Sequence, residues 1–411
     1  MAGMEETASI LVNLLRKHSQ PAAVCTEPAA IALAAARASE TLGYAPRKLH
    51  VELSAHVLKN AKTAGLPVGD EVGPHVAAAL GSRLRRSSLG LQMLLHSSEE
   101  ELREAMQLIE DNGVEITEYD GDEPIYVRVT AFGDEHEAET TIAGGHSNIV
   151  SIRRDDSNIA LPTSSESKPE VHSTRDLKNA TLSEIIEAND HITCENAAFL
   201  LRGAQSNMEV AEESLHDFPF WVRGEILPEA PEGGLCFRIR RLVMAAIWAR
   251  MAGTSRPIFT SAGSGNQGIM VSIPPICVAQ EREPAGKDAT LRAVLLAHTI
   301  NLYFKAFMGD VSDYCGAISA GAGVAGATCR LMGGNVEEMR AAVNAAMSAL
   351  DGMTCDGARI NCSLKGATAA VEGVMSGWMA ANGLSLPPAD GPVARSLSDN
   401  PGRSPIPGVT D

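Results

Sequence analysis

The sequence predicts an α+β fold in which a largely helical domain carries an inserted α/β domain. The spacing of apolar residues is helical at the start of the chain, alternates over residues 46–154, and is helical again from residue 177. With 411 residues, the chain is also long enough for two hydrophobic cores. We therefore expect residues 1–42 to pack with residues 177–384 in one helical domain, and residues 46–154 to form the insertion.

Two helices are predicted in the N-terminal segment, residues 1–42. Leu11, Leu14 and Leu15 form an apolar stripe in the first of them. Pro28 suits the first turn of the second helix, because a proline there loses no helical hydrogen bond. This helix is "PAAIALAAARASETLG" and should end near its final glycine.

The insertion contains the alternating patterns typical of half-buried strands. In "RKLHVELS", Leu49, Val51 and Leu53 alternate with polar residues, and "PIYVRVTAF", "EAETTIAGG" and "NIVSIRR" are also strand-like. The segment "SSEEELREAMQLIEDNG" begins with Ser-x-x-Glu and ends at Gly113, which predicts a capped helix. The polar residues 155–176 that follow predict an exposed linker.

Helical patterns return after the linker. The Gly/Ala-rich segment "GAISAGAGVAGATCRLMGG" predicts a buried helix that lets its neighbours approach closely, because each interior glycine would cost an exposed helix about 1 kcal/mol. The proline-rich residues 385–411 show no periodicity and predict a disordered tail. The other clear helical segments are "ATLSEIIEAND", "LRAVLLAHTINLYFKAFMG", "NVEEMRAAVNAAMSALDG" and "NCSLKGATAAVEGVMSGWMAANG".

Composition narrows the class of function. A net charge of −17 argues against nucleic acid or an anionic membrane as a partner. No run approaches the length of a membrane span and no signal-peptide pattern begins the chain, so we expect a cytoplasmic protein. Eight cysteines without a C-x-x-C pair are too few for a disulfide scaffold and give no zinc ribbon. The composition does not decide whether the protein forms a homo-oligomer, so that state remains possible.

A glycine-rich loop, residues 263–268 in "TSAGSGNQGIMVSIPP", fits the G-x-G-x-x-G spacing of a dinucleotide-binding turn. The proline pair at 274–275 should break the helix that such a turn requires. Successive backbone N–H groups with Ser264, Asn266 and Gln267 as further donors indicate instead a nest for an anion. A solvent-exposed polar turn is the alternative.

The cysteines suggest two kinds of chemistry. Cys25 stands just before a helix, where the positive end of the helix dipole stabilises a thiolate, although a buried bystander is an equal alternative. Cys315, Cys355 and Cys362 lie at predicted helix ends and in an interhelical loop, positions that suit an iron–sulfur cubane. Their spacing is not that of a ferredoxin, so the residues alone only suggest this. Cys329 is predicted to be packing.

Several short motifs follow one another along the chain in a characteristic order. Together they resemble the iron–sulfur L-cysteine desulfidases, relatives of the bacterial L-serine dehydratase α chain, over roughly residues 9–383. The motifs are "CTEPAAIALAAA", "LKN" at 58–60, "AALG" at 78–81, "GGHSNIV" at 144–150, "AGSGNQGI" at 262–269, the cysteine at 315, and "GMTCDGARINCSLK" at 352–365.

The resemblance implies roles for the matching residues. Cys315, Cys355 and Cys362 would be the ligands of a [4Fe–4S] cluster with one open iron. Cys25 would be the catalytic thiolate or base, and the glycine-rich loop would hold the substrate carboxylate. The implied substrate-binding residues are Lys59, Asn60, His146, Ser264, Gly265, Asn266 and Gln267.

The implied activity is that of a lyase in amino-acid catabolism, with a small amino acid as substrate. It would eliminate hydrogen sulfide from L-cysteine and leave pyruvate and ammonia. Two alternatives stay open: an L-serine dehydratase with the same mechanism, and a non-catalytic iron–sulfur-binding homologue. The last is favoured by departures from the family pattern, namely Asp70 and Glu71 in the 65–75 loop, His56, and the proline-rich C-terminal segment.

Overall fold

The protein has two hydrophobic cores. One lies among helices, and the other lies between a sheet and the helices that cover it. The molecule is therefore a mixed α and β fold, in agreement with the predicted class. A computed structural model describes residues 2–23, 25–161, 174–217, 234–282, 286–309 and 312–386.

Helices make up most of the described chain. Ser98, Thr181 and Asn335 each begin a helix with a capping box, as the Ser-x-x-Glu pattern predicted for the first of them. The α-helices are α1 (Ala2–His18), α2 (Thr26–Leu42), α3 (Ala55–Ala61), α4 (Pro74–Leu84), α5 (Glu99–Glu110), α6 (Leu182–Asp190), α7 (Cys194–Asp217), α8 (Leu235–Met251), α9 (Gly265–Glu281), α10 (Lys287–Met308), α11 (Ala317–Leu331), α12 (Val336–Leu350) and α13 (Cys362–Ala381). Short 3₁₀ segments occupy Ser87–His96 and Thr174–Asn179.

A six-stranded sheet has the order β3-β2-β4-β5-β6-β7. Only β2 and β3 run parallel among its pairs. The other neighbours are antiparallel, and β4, β5, β6 and β7 follow one another as successive hairpins. A separate two-stranded pair joins β1 to β8. The strands are β1 (Pro21–Ala22), β2 (Lys48–Leu53), β3 (Val114–Glu118), β4 (Tyr126–Phe132), β5 (Glu137–Ala143), β6 (Ile149–Arg154), β7 (Ser157–Asn158) and β8 (Ile258–Phe259).

The predicted alternation in β2 is confirmed, because Leu49, Val51 and Leu53 are fully buried. The α2 helix packs against β4, β5 and α4 in this sheet core. Small residues bring the two helices close together. A Cβ at Gly81 of α4 would lie only 2.3 Å from the carbonyl oxygen of Ala32 in α2.

The N-terminal segment is divided between the two cores. The α1 helix packs against α6 and α10, and its leucine stripe is buried in the helical core. The α2 helix instead belongs to the sheet core, so the prediction that residues 1–42 pack as one unit with the helical domain is wrong for α2. Its run of alanines is the physical reason, because short side chains let a helix lie close against a sheet and a second helix.

The prediction that the proline pair breaks the helix after the glycine-rich loop is also wrong. Pro274 and Pro275 lie inside α9, which begins at Gly265 and continues to Glu281. A proline in a helix interior costs about 3 kcal/mol. Here α9 is buried on nearly all sides, against α7, α8, α10 and α11, so tertiary packing outweighs that cost.

The dinucleotide interpretation of this loop fails on other grounds. The strand that precedes it, β8, has two residues and pairs antiparallel with β1. A dinucleotide fold instead requires a parallel sheet whose strand feeds directly into the glycine turn.

The prediction of a buried Gly/Ala-rich helix is confirmed by α11. A Cβ at Gly323 would lie 2.4 Å from the carbonyl oxygen of Ala297 in α10. On the other side, a Cβ at Gly373 of α13 would lie 2.5 Å from the carbonyl oxygen of Gly321. The α11 helix is thus the central helix of the helical core, and its glycines set the distance to both neighbours.

No helix among the described residues combines the length and the apolar character needed to cross a membrane. The predicted linker, residues 155–176, contains β7 and the start of the second 3₁₀ segment, and residues 162–173 of it lie outside the described residues. Nearly all of the predicted tail, residues 387–411, also lies outside them.

Candidate active site

A cleft of about 980 Å³ opens where the two cores meet. We call its two sides the sheet wall, formed by Cys25, Glu27, Lys59, Asn60 and His146, and the helical wall. The helical wall is formed by Arg250, Ser264, Asn266, Gln267, Cys315, Cys355 and Cys362. All the site residues implied by the resemblance line this cleft except Gly265, which lies behind it.

The sheet wall is organised around the carboxylate of Glu27, in the first turn of α2. The Cys25 thiol donates a hydrogen bond to Glu27 Oε2 at 2.8 Å, and the Thr26 hydroxyl donates to the same oxygen at 3.1 Å. On the other oxygen, Asn60 Nδ2 donates to Oε1 at 2.7 Å, and His146 Nε2 lies 3.7 Å away. Both carboxylate oxygens are therefore used within the protein.

Three separate elements bring these groups together. Cys25 stands directly before α2, as the sequence predicted, and is its N-cap residue, while Asn60 lies in the short helix α3. His146 lies in the turn between β5 and β6, where Gly144 has a φ of 68°. Such a φ is readily adopted only by glycine, and it turns the hairpin where His146 reaches Glu27.

The predicted thiolate character of Cys25 is wrong for the protein as it folds. Burial raises the pKa of the Cys25 thiol well above its ordinary value, and the Glu27 carboxylate raises it further. For Glu27, burial alone would raise the pKa. The nearby His146 imidazole, with hydrogen bonds from Cys25 and Asn60, instead holds the pKa of Glu27 well below its ordinary value. The resting pair is therefore a thiol that donates to an ionised carboxylate.

The glycine-rich loop forms a tight turn followed at once by a helix. Ser261 and Ser264 exchange two backbone hydrogen bonds, of 3.0 and 2.9 Å, around Ala262 and Gly263. These two central residues have φ values of 48° and 77°, as in the primed turns of hairpins. Ser264 then caps α9 by accepting a hydrogen bond from Gln267 N. The free N–H groups of α9 begin at this edge of the cleft.

Behind the start of α9 lies a residue that the sequence did not single out. Arg250, in the last turn of α8, has only 3% of its surface exposed. Its Nη1 donates to Asn266 Oδ1 at 3.0 Å, and its Nε has no hydrogen-bond partner in the part of the chain that the structure describes. No carboxylate among the described residues forms a salt bridge with it.

Gly265 has a structural task next to Arg250. A Cβ at position 265 would lie 2.2 Å from Arg250 Nε, so glycine leaves the space that the guanidinium group occupies. Its predicted role as a residue that itself lines the substrate site has no support in the geometry.

The three predicted cluster cysteines lie around one loop. The N–H of Cys315 donates to the carbonyl oxygen of Met353 at 2.8 Å, and the N–H of Cys355 donates to that of Asp313 at 2.6 Å. These hydrogen bonds hold the segment before α11 against the segment after α12. Cys362 is the first residue of α13 and closes the same loop.

The loop also contacts the sheet wall. A Cβ at Gly357 would lie 2.9 Å from the carbonyl oxygen of Lys59 in α3, and the Thr63 hydroxyl donates to the carbonyl oxygen of Ala358 at 3.1 Å. Within the loop, Lys365 Nζ donates to Asp356 Oδ1 at 2.7 Å. The position of the cysteines therefore depends on both cores.

The chemistry of the three thiols fits a multi-iron group better than a single ion. No three His, Cys, Asp or Glu side chains of the described residues gather closely enough to hold one metal ion. In an iron–sulfur cube each thiolate binds a separate iron, so ligands spread around a cleft suit it. Burial raises the pKa of Cys315 to about 11, so binding of iron there would release protons.

The other residues weighed from the sequence do not line the cleft. Cys329 is fully buried in α11, with its sulfur where a side chain on Gly334 would be, as expected for packing. Asp70 and Glu71 are exposed and His56 is half-buried, all outside the cleft lining. These two carboxylates are therefore not placed to repel an anionic substrate in the cleft.

Sequence reasoning missed Glu27 and Arg250. A signal for each was present. Glu27 is an acidic residue in the first turn of a helix, and the nine residues that follow it are all apolar. Arg250 is spaced three and seven residues from Ile247 and Val243, on the apolar face of α8. Burial of a charge on an apolar face costs free energy unless the charge has a partner, so such a residue indicates a binding or catalytic role.

Comparison with known proteins adds to this geometry. The serine dehydratase alpha chain family model matches residues 88–398, a range with His146, Arg250 and the three cysteines. A UPF0597 protein of Moorella thermoacetica is 34% identical over 95% of this chain and 91% of its own length. UPF0597 proteins of Clostridium botulinum, strain Okra, and Clostridium tetani are 30% and 29% identical, over 98% and 93% of this chain and 96% and 90% of their own.

Proposed function

This chain belongs to the serine dehydratase alpha chain family, and we propose that it is a carbon–sulfur lyase acting on L-cysteine. The proposed reaction is a β-elimination. The Cα–H and Cβ–S bonds break, hydrogen sulfide leaves, and the remaining aminoacrylate takes up water to give pyruvate and ammonia. The family supports the coarser description, a lyase of amino-acid catabolism.

One observation carries the proposal. A buried thiol, Cys25, donates to a buried carboxylate, Glu27, at 2.8 Å, in the same cleft as three further cysteines that come from the other core. A proton-transfer pair facing a set of soft ligands is the arrangement that an elimination needs, since one side removes a proton and the other binds the leaving group.

Cys315, Cys355 and Cys362 would hold a [4Fe–4S] cluster, which supplies Lewis-acid chemistry at an open iron when it is bound. These three thiols are half-buried and line the cleft, so a cluster bound to them would be accessible to a substrate. The start of α9, with Ser264 and Gln267, offers N–H groups to the substrate on the same side.

The sheet wall handles the proton. The Cys25 proton moves along its hydrogen bond to Glu27 Oε2, and the resulting thiolate takes the Cα proton of the substrate. The transfer to Glu27 is uphill, because the pKa of the thiol is raised and the pKa of the carboxylate is lowered in the resting pair. The thiol is restored when it takes the Cα proton, and the proton held on Glu27 balances the departing hydrosulfide. Asn60 and His146 keep the carboxylate oriented toward Cys25.

L-Serine is the second candidate substrate, because the matching family is named for serine dehydratase. Loss of hydroxide would use the same residues. Nothing in the cleft requires a non-catalytic homologue, since the carboxylates that favoured it lie outside the lining.

The test is an anaerobic assay on protein whose iron and sulfide have been reconstituted, with L-cysteine and L-serine supplied separately. We expect sulfide and pyruvate in equal amounts from L-cysteine. Pyruvate from L-serine alone would move the assignment to the dehydratase. Absence of pyruvate from either, in protein that retains its iron, would refute the proposed function.

A further inference from the structure

Arg250 is a buried cation at the edge of the cleft, and its surroundings leave it without charge compensation. It is 3% exposed, and its one hydrogen bond to a side chain goes to a neutral amide, Asn266 Oδ1. A buried charge without a partner of opposite charge costs several kcal/mol. The described residues supply no carboxylate to Arg250, so an anion from outside the chain would offset this cost.

The helix next to Arg250 adds to the same imbalance. The α9 helix begins at Gly265, and a Cβ there would lie 2.2 Å from Arg250 Nε, so the guanidinium group lies directly against the helix N-terminus. That terminus has the positive end of the helix dipole and unpaired N–H groups. Two positive features packed side by side are unfavourable alone and become favourable when they share an anion.

Arg250 differs in burial from the other cations of the cleft. Lys17 is exposed, and Lys59 and Lys305 are half-buried. Water solvates an exposed ammonium group, which therefore gains little by binding a carboxylate. A guanidinium group held by Asn266 loses less conformational entropy on binding, and its planar N–H groups match a carboxylate.

We propose that Arg250 binds the α-carboxylate of the substrate, and that Gly265 and Asn266 position its guanidinium group for that contact. The proposal rests on the proposed function for the identity of the substrate as an amino acid. It makes Arg250 the residue that distinguishes an amino acid from an amine or an amide of the same size. Cysteamine, which lacks the carboxylate, would then be excluded from the cleft.

The test measures binding by calorimetry on the reconstituted protein, with L-alanine and L-alaninamide as ligands. Both have the amino group and neither has a leaving group, so turnover does not interfere. We expect the parent protein to bind L-alanine more tightly than L-alaninamide. In Arg250→Gln the affinity for L-alanine should be about 10- to 100-fold weaker, so that this preference is lost. If Arg250 had only a structural role, its substitution would weaken the binding of both ligands by the same factor.

Two further variants keep the test decisive if Arg250→Gln does not fold. Arg250→Lys retains the charge and should keep part of the preference. Gly265→Ala retains the arginine but displaces its guanidinium group, and should reduce the preference. Arg256→Gln is the matched control, because Arg256 is an exposed arginine just after α8 that pairs with Glu209 and Glu213.

The outcomes separate this inference from the proposed function. If Arg250→Gln keeps the parent preference while the parent eliminates sulfide from L-cysteine, the inference is wrong and the function stands. If the preference depends on Arg250 but neither L-cysteine nor L-serine reacts, the inference stands and the function is wrong.

Discussion

The two walls of the cleft differ in what they offer. The sheet wall has a closed network in which Cys25, Asn60 and His146 all address one carboxylate, Glu27. The helical wall has three thiols, an uncompensated arginine and a helix N-terminus, none of which is neutralised by a neighbouring acid among the described residues. The first is organised for moving a proton within the protein, and the second for binding groups that come from outside.

The largest effect on activity is expected from substitution of a cysteine on the helical wall. Cys355→Ser replaces a thiol ligand by a hydroxyl, so iron and sulfide should be lost together with essentially all elimination activity. Anaerobic iron and sulfide analysis measures this. Cys329→Ser is the matched control and should keep its iron, because that thiol is buried outside the cleft. Loss of iron in Cys329→Ser with retention in Cys355→Ser would reverse the assignment.

On the sheet wall, Cys25→Ser should separate chemistry from iron binding. A hydroxyl is a far weaker base than a thiolate, so we expect sulfide release from L-cysteine to fall by about 10²–10⁴-fold with iron content unchanged. Cys194→Ser, at a half-buried thiol outside the cleft, is the control. A parent rate in Cys25→Ser would mean that Cys25 only packs under α2.

Glu27→Gln tests the proton acceptor through its pH dependence. The carboxylate raises the pKa of Cys25 by its charge and by accepting the thiol hydrogen bond, so its removal should lower that pKa. Alkylation of Cys25 by iodoacetamide requires the thiolate, and its rate profile should therefore move to lower pH. Turnover should nevertheless fall by about 10²-fold, because the proton acceptor is gone.

A carboxylate at the other end of α2 provides the control for that experiment. Glu40 accepts a hydrogen bond from the backbone N–H of Ser87 at 2.6 Å and does not line the cleft. Glu40→Gln should leave both the alkylation profile and turnover as in the parent. An unchanged profile in Glu27→Gln would contradict the Cys25–Glu27 pair.

The smallest effect is expected for Lys365→Met on the helical wall. Lys365 Nζ donates to the carbonyl oxygen of Thr354 at 2.9 Å and to Asp356 Oδ1 at 2.7 Å, which fixes the loop between two cysteines. The pair is partly exposed and worth little by itself. We expect iron to be lost several-fold faster to a chelator, with the pH profile of Cys25 alkylation unchanged. A shifted profile would show that the walls are not independent.

The sequence predicts the fold best where period and caps agree. The α5 and α12 helices have both a capping box and an apolar face, and both were found. The α9 helix was missed because two prolines argue against a helix, and only its burial on nearly all sides outweighs them. The α2 helix was found, but its core was not, since an alanine-rich helix fits either a sheet or a bundle.

Prediction of the site was also limited by contacts between residues that are distant in the chain. The resemblance named the residues, and the structure brings nearly all of them to one cleft. It did not name Glu27 or Arg250, because their importance comes from partners distant in the chain: Asn60 and His146 for the first, and the start of α9 for the second. The local signal at Cys25, a helix N-terminus, gave the wrong direction for its pKa because burial and Glu27 outweigh the dipole.

The division of the N-terminal segment between two cores has a consequence for biosynthesis. The α1 helix is synthesised long before its partners α6 and α10, which begin only at Leu182 and Lys287. At about 5–20 residues per second, Leu11, Leu14 and Leu15 wait roughly 15–55 seconds for the second of them. Well before α10 is made, α2 can already join the sheet core, whose strands β4 and β5 end at Phe132 and Ala143. The nascent chain therefore carries an exposed apolar helix face, of the kind that chaperones bind, until α10 is made.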